Sequence, residues 1–233
     1  MVFINIIKEK ACPAATRPMS RRGGRRKARE SAPDLLSSVA DKSVFLRGMA
    51  KDSPSEKRTL AEGRHLDFVV RNGWEFVERR NVSGIVVVVG TTKSGCLVLV
   101  TQWREPVQAW VVELPAGLAG DRPGSEQEAL VEAARRELLE ETGFAASSME
   151  PVLSGPPSPG ISDEVVTFFR ARGLARVGRG GGEMGENVRA HAVPLSGLSD
   201  WLDAVRAKGA LVDPKVLVGA YIVRKEMDEG MYE

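Results

Sequence analysis

Three carboxylates fall within five residues in the run Arg136-Glu137-Leu138-Leu139-Glu140-Glu141-Thr142-Gly143-Phe144. On a helix of 3.6 residues per turn, Glu137 and Glu141 stand one turn apart on one face, with Glu140 at its flank. Val131, Ala134 and Leu138 occupy an adjoining arc, so one side of such a helix packs and the next is anionic. Like charges at this spacing disfavour a helix by roughly 0.2–0.5 kcal/mol per pair unless something compensates. Arg135 and Arg136 can neutralise part of the charge, and the face then reads as a solvated surface of Glu–Arg pairs. A hard divalent cation with oxygen ligands would compensate it more fully. Metal binding is the chemistry that this spacing offers.

The elements upstream would position such a helix. Val111-Val112-Glu113-Leu114-Pro115-Ala116-Gly117 has the pattern of a buried strand ending at a breaker, and a Gly/Pro-rich loop leads from it to the helix. Strands are predicted at Gly84–Val89, Cys96–Gln102, Val165–Arg170 and Val188–Val193, and at Trp74–Arg79 after the turn signal Arg71-Asn72-Gly73. Closing helices are predicted at Leu198–Ala207 and Asp213–Lys225. Strands and helices interleave around a mixed sheet, which gives an α/β architecture. Ser125-Glu126-Gln127-Glu128 reads as a capping box at the helix start. Gly178 to Gly185 reads as a mobile stretch whose glycines give it freedom to move.

The chain has 233 residues, 42% of them apolar, enough for one domain with a sizeable core and an appendage. Its net charge of +2 hides an asymmetry. Residues 1–30 carry nine Lys/Arg against Glu9 and Glu30, a surplus of seven, so the remainder is net −5. Residues 1–48 are therefore expected to be a disordered basic tail. It reads as a nucleic-acid-binding arm, an organelle transit peptide, or a translated leader ahead of a start at Met49. Residues 55–80 form an N-terminal strand and hairpin segment, and 81–228 the main domain. Cys12 and Cys96 sit in different contexts, so no disulfide framework is expected and a reducing cytoplasm is the default. No apolar run approaches the ~20 residues that span a bilayer.

Arg136 through Phe144 resembles the second half of the signature box of the Nudix hydrolases, which cleave nucleoside diphosphates linked to another group. Glu128 lies at the matching seven residues before Arg136. One departure is clear: ten residues, Leu118 to Gln127, separate Gly117 from Glu128 where the common pattern has five. The segment Gly120-Asp121-Arg122-Pro123-Gly124 thus looks like an insertion. Glu113 to Leu118, Gln102-Trp103-Arg104-Glu105-Pro106-Val107 and Ser158-Pro159-Gly160-Ile161-Ser162-Asp163-Glu164 resemble, in order and spacing, the ADP-ribose and nucleoside-diphosphate-sugar branch.

This resemblance implies a Nudix-type α/β/α sandwich and Mg²⁺-dependent (or Mn²⁺-dependent) cleavage of the pyrophosphate in ADP-ribose or a related nucleotide sugar. It implies metal ligation by Glu137, Glu141, Glu140 and the Ala116 carbonyl, with Arg136 and Glu140 in the catalytic set. Glu186, with Glu183 as rival, is the expected general base. Trp74, Glu75, Arg79, Arg104 and Glu113 are the expected substrate contacts. Trp74 would stack on a base, or else anchor a hairpin; Arg104 would clamp phosphate, or else pair with Glu105. The resemblance further implies a homodimer through Glu56–Arg79, and a small-molecule substrate with no membrane partner. The rival readings are another nucleotide substrate, and, from a different class, a non-catalytic sensor or an RNA-binding protein using the tail.

Overall fold

The computed structural model describes residues 56–122, 124–182 and 186–230; the basic tail, 1–48, and Glu183 lie outside them. Three strands, β1 (Lys57–Glu62), β2 (Leu66–Arg71) and β3 (Trp74–Arg79), form an antiparallel sheet of their own. The centre of the molecule comprises β4 (Gly84–Gly90), β5 (Cys96–Arg104), β6 (Ala109–Glu113), β7 (Ala116–Ala119) and helix α1 (Leu130–Thr142). It continues through β8 (Phe144–Ala145), β9 (Ser148–Gly155), β10 (Val166–Arg172), β11 (Ala175–Arg176) and β12 (Arg189–Pro194). Helix α2 (Leu198–Arg206), β13 (Leu211–Val212) and helix α3 (Pro214–Asp228) complete it.

Two four-stranded sheets carry the core, in the orders β7-β4-β10-β9 and β12-β5-β6-β13. The first is mixed, since β4 and β10 run parallel while β7 and β9 are antiparallel to their neighbours. The run Ile85-Val86-Val87-Val88-Val89 makes β4 a strand buried on both faces, as β-branched residues favour. Its side chains alternate. Val86 and Val88 join Ala133, Ala134 and Leu138 of α1 in one cluster, and Val87 and Val89 join Leu198, Leu202, Val216 and Val223 of α2 and α3 in the other. Sheet between helices on both sides is the α/β/α arrangement. Full burial of each such side chain contributes about 1.5–3 kcal/mol.

Four details depart from the sequence expectations. Helix α1 starts at Leu130 with Ala129 as an N-cap that makes no side-chain bond. Ser125 instead bonds the backbone of Arg122, and Glu128 is committed to Arg136 and the Gly120 N–H, so the capping box does not form. The glycine stretch after β11 is not loose over its described part. Gly181 and Gly182 donate their N–H groups to the carbonyls of Glu141 and Glu140, and Val177 and Gly178 donate to that of Gly143. Positive φ at Gly180, Gly181 and Gly182 lets this segment lie on the helix end, where carbonyls lack intrahelical partners. Residues 183–185 lie outside the description. Third, Arg104 pairs with Glu113 rather than Glu105. Finally, Cys96 is disulfide-bonded, which removes the argument for a reducing compartment that free thiols had supplied. No helix among the described residues is long and apolar enough to cross a membrane.

Candidate active site

The turn between β6 and β7 meets α1 side-on. Val88 donates its N–H to the Pro115 carbonyl (2.7 Å), holding the turn against β4, and the Ala116 N–H donates to Glu141 Oε2 (3.1 Å). Gly117 leaves room for the carboxylate: a Cβ would stand 2.0 Å from the Glu137 carboxyl carbon, so the Glu137 side chain would have to swing aside. Glycine is the residue that lets a backbone approach this closely.

Arg136 organises the helix from beneath. It donates to Glu128 through Nε (3.0 Å) and Nη2 (3.1 Å), to Glu137 Oε1 (2.7 Å), to Glu140 Oε2 (3.3 Å) and to the Leu118 carbonyl (2.8 Å). Its guanidinium bonds hold the Glu128 carboxyl below the usual range. Glu140 also takes both its oxygens to Arg122. Arg136 and Glu140 thus sit at the side of the site, while Glu137 and Glu141 face into a cleft of about 470 Å³.

Arg79, Arg104, Glu113, Ala116 and Glu186 line the same cleft, so seven of the residues singled out in the sequence converge. Arg104 forks onto Glu113, with Nε–Oε1 2.9 Å and Nη2–Oε2 2.6 Å, and Arg79 pairs with Glu164 at 2.8 Å. Glu186 folds over Gly182, where a Cβ would lie 2.5 Å from its Oε2.

Trp74 and Glu75 are not in this cleft. In β3 alternate residues face opposite sides, so Trp74 and Phe76 share one face and Glu75, Val77 and Arg79 the other. Trp74, 62% exposed, donates Nε1–H to the Gly160 carbonyl (3.3 Å) and borders a separate hollow with Arg71, Phe76 and Pro159. One chain alone does not bring Trp74 and Arg79 to one ligand.

Sequence reasoning missed Gln102, Asp121, Asp213 and Lys215 as cleft residues. Asp213 caps α3 by accepting the Lys215 N–H (2.8 Å), and its carboxylate also binds the Lys215 ammonium. The signal available was Asp213-Pro214-Lys215, a cap followed by proline at a helix start. A second, apolar cavity of about 710 Å³ adjoins the cleft and shares Arg104, Glu113, Asp213 and Lys215 with it.

The electrostatics favour a cation. Burial pushes the Glu137 carboxyl up to about 7 despite the Arg136 guanidinium, with Glu140 and Asp121 adding to the rise. Burial pushes Glu141 up to about 8 against the Ala116 N–H, and the charges of Glu137, Glu113 and Glu186 raise it further. Arg104 and Lys215 are already neutralised by carboxylates. Glu141, 6% exposed, has one backbone donor among the described residues. No three His, Cys, Asp or Glu side chains among those residues already converge on a single point. Two largely buried carboxylates that burial drives toward neutrality, with Ala116 lining the same cleft, nevertheless fit a hard divalent cation.

Residues 78–208 match the NUDIX domain. Over 157 residues the chain is 31% identical to the GDP-mannose pyrophosphatase of Cronobacter sakazakii, spanning 64% of this chain and 76% of that protein. Over 92 residues it is 38% identical to the ADP-ribose pyrophosphatase of Bacillus subtilis, spanning 40% of this chain and 47% of that one. The chain thus spans about half the length of several curated relatives that it matches. The fold is shared with a solved ADP compounds hydrolase at a TM-score of 0.56 and 19% identity, covering 78% of this chain and 97% of the other. The carboxylate helix, the turn it meets and the sheet that carries both are those of the NUDIX domain family, to which this chain belongs.

Proposed function

We propose that this chain is a Mg²⁺-dependent pyrophosphatase of nucleoside diphosphate sugars, with ADP-ribose as its leading substrate. The observation that carries this reading is the single cleft into which Glu137, Glu141, Ala116, Arg104 and Glu186 all open. The B. subtilis relative, an ADP-ribose pyrophosphatase, supports the substrate class.

Glu137, Glu141 and the Ala116 carbonyl would hold the metal, which when bound supplies charge neutralisation at the phosphates and a more acidic water. Arg104, with Arg79 and Lys215, meets phosphate oxygens, for which a forked guanidinium suits well. Glu186, presented by the glycine segment, takes the proton of the attacking water. Water adds to one phosphorus, the bridging P–O bond breaks, and AMP and ribose phosphate leave. Arg136 positions Glu137 and does not touch substrate. The adjoining apolar cavity gives room for one of the two groups that flank the pyrophosphate. A cytoplasmic location is part of this proposal.

A second reading, another sugar nucleotide, is favoured by the separation of Trp74 from Arg79 and by the GDP-mannose relative. A panel of ADP-ribose, GDP-mannose and a diadenosine polyphosphate, in EDTA and then with Mg²⁺ or Mn²⁺, separates the two. The proposal expects metal-restored hydrolysis with ADP-ribose preferred. Preference for GDP-mannose supports the second reading. Cleavage of none of these, with salt-sensitive RNA binding that disappears on removing residues 1–48, would favour the RNA-binding reading over both.

A further inference from the structure

The loop ahead of α1 is five residues longer than the box it resembles, and its described residues are tightly held. The Ser125 hydroxyl accepts the Arg122 N–H (3.1 Å) and donates to the Arg122 carbonyl (2.8 Å), which also accepts the Ser125 N–H (2.9 Å). Gly120 donates its N–H to Glu128 (3.3 Å) and lies so close to Ser83 that a Cβ would stand 2.9 Å from its hydroxyl. Both neighbours of Asp121 are therefore fixed.

Anchored in this way, Arg122 reaches across to α1 and donates through Nη2 to both oxygens of Glu140, at 2.9 and 2.8 Å. Arg136 adds a third contact to the same carboxylate at 3.3 Å. Glu140 is neutralised by two guanidinium groups and does not line the cleft. Asp121, one residue earlier, lines it beside Glu137 and Glu141. Among the described residues Asp121 pairs with Arg136 Nη2 at 3.6 Å, beyond hydrogen-bond range, which leaves its carboxylate acceptor capacity.

We infer that the inserted loop exchanges one box carboxylate for another: Arg122 withdraws Glu140 from the cleft, and Asp121 supplies the acidic group that helps hold a divalent cation beside Glu137 and Glu141. The inference rests on the metal-dependent reading above. Mg²⁺ commonly keeps several of its waters, so Asp121 can act on the ion through one of them. Arg122 is a positioning residue; its effect passes through Glu140.

Calorimetric titration of the metal-stripped full chain with Mn²⁺ tests this, with thermal unfolding of each variant as the check on folding. Asp121→Asn should weaken Mn²⁺ binding by roughly tenfold. Glu140→Gln should change it by no more than about threefold, the effect of one distant charge in water. In an Arg122→Gln background, where Glu140 keeps only its 3.3 Å contact with Arg136 and can turn toward the cleft, the same Glu140→Gln substitution should cost roughly tenfold, the cost of losing a group that orients the metal. That dependence on background is not expected of a loop that is only structural. If the wild type binds Mn²⁺ but Glu140→Gln weakens it as much as Glu141→Gln does, while Asp121→Asn is silent, the exchange is overturned and the metal reading stands. If the wild type binds no Mn²⁺, both fall.

Discussion

At the scale of single residues, the site holds carboxyls under strain from their own burial. Glu137 and Glu141 ordinarily titrate near 4.5, and in the fold they are pushed up to about 7 and about 8. The unfolded chain therefore releases these protons first as pH rises, and between about 4.5 and 8 it binds fewer protons than the fold. Stability must then decline with rising pH across that window, because the buried carboxylates carry charge that the fold disfavours. In EDTA the melting temperature should fall from pH 5 to pH 8. Glu141→Gln should flatten part of that slope, and Mg²⁺ should raise the melting temperature more at pH 8 than at pH 5. An unchanged slope in Glu141→Gln would contradict the assignment of the effect to this group. Gly117→Ala makes a second test at this scale. Its Cβ falls 2.0 Å from the Glu137 carboxyl carbon, so Glu137 or the turn must shift. Hydrolysis should drop by roughly 10–100-fold, the range for disturbing groups that orient a metal site. Activity within a factor of two of wild type would show that the approach is unimportant. The three glutamates were legible in the sequence because a helix turns their spacing into one face. The partner of Arg104 was not: the β5–β6 hairpin sets Arg104 opposite Ala109 and Glu113 opposite Val100, so the pair forms only by a long side-chain reach along one face of the ladder.

At the scale of elements, α1 is held along its C-terminal half by backbone N–H groups from two other segments. The Ala116–Gly117 turn meets its acidic face, and Gly181 and Gly182 occupy its last carbonyls. A buried ion pair ties β10 to α3 on the far side of the sheet. Arg170, 1% exposed, donates to Glu226 (2.9 Å), to the Val89 and Ala171 carbonyls and to Thr91, and Arg172 reaches the same glutamate. Removing one partner of such a pair costs about 3–5 kcal/mol because the other charge is left buried. Glu226→Gln should therefore lower the melting temperature by several degrees, at roughly 2–4 °C per kcal/mol for a chain of this size. A shift below one degree would show that the pair is solvated. Strands built from β-branched runs, such as β4 and β5, stood out in the sequence, as did α2 and α3. β9 did not. It pairs with β10 alone, buries only Met149, and carries Pro151 beside a register shift, where a missing N–H costs no ladder bond. The glycine stretch misled because conformational freedom in the unfolded chain and close docking in the folded one call for the same residue.

At the scale of the whole molecule, the three N-terminal strands stand apart from the core sheets. Every residue of β1 is exposed, and Leu60, Leu66, Phe68 and Trp74 leave apolar surface in water. β1 pairs with β2 alone, so its outer edge offers unpaired N–H and C=O groups among the described residues. We propose that a second copy covers this sheet, and that Trp74 meets a base only in the dimer. Sedimentation at micromolar concentration should give about twice the chain mass, and Leu60→Asp with Phe68→Asp should return it to one. A monomeric wild type would refute that assembly.

Whether the carboxylates of α1 hold a catalytic metal is decided by hydrolysis of ADP-ribose with Mg²⁺, followed as release of AMP and ribose phosphate for the wild type beside Glu141→Gln. Turnover by the wild type that falls roughly a hundredfold in the variant, the scale for losing a principal electrostatic group, is the expected result. Equal turnover by both proteins would contradict a metal site built on this helix.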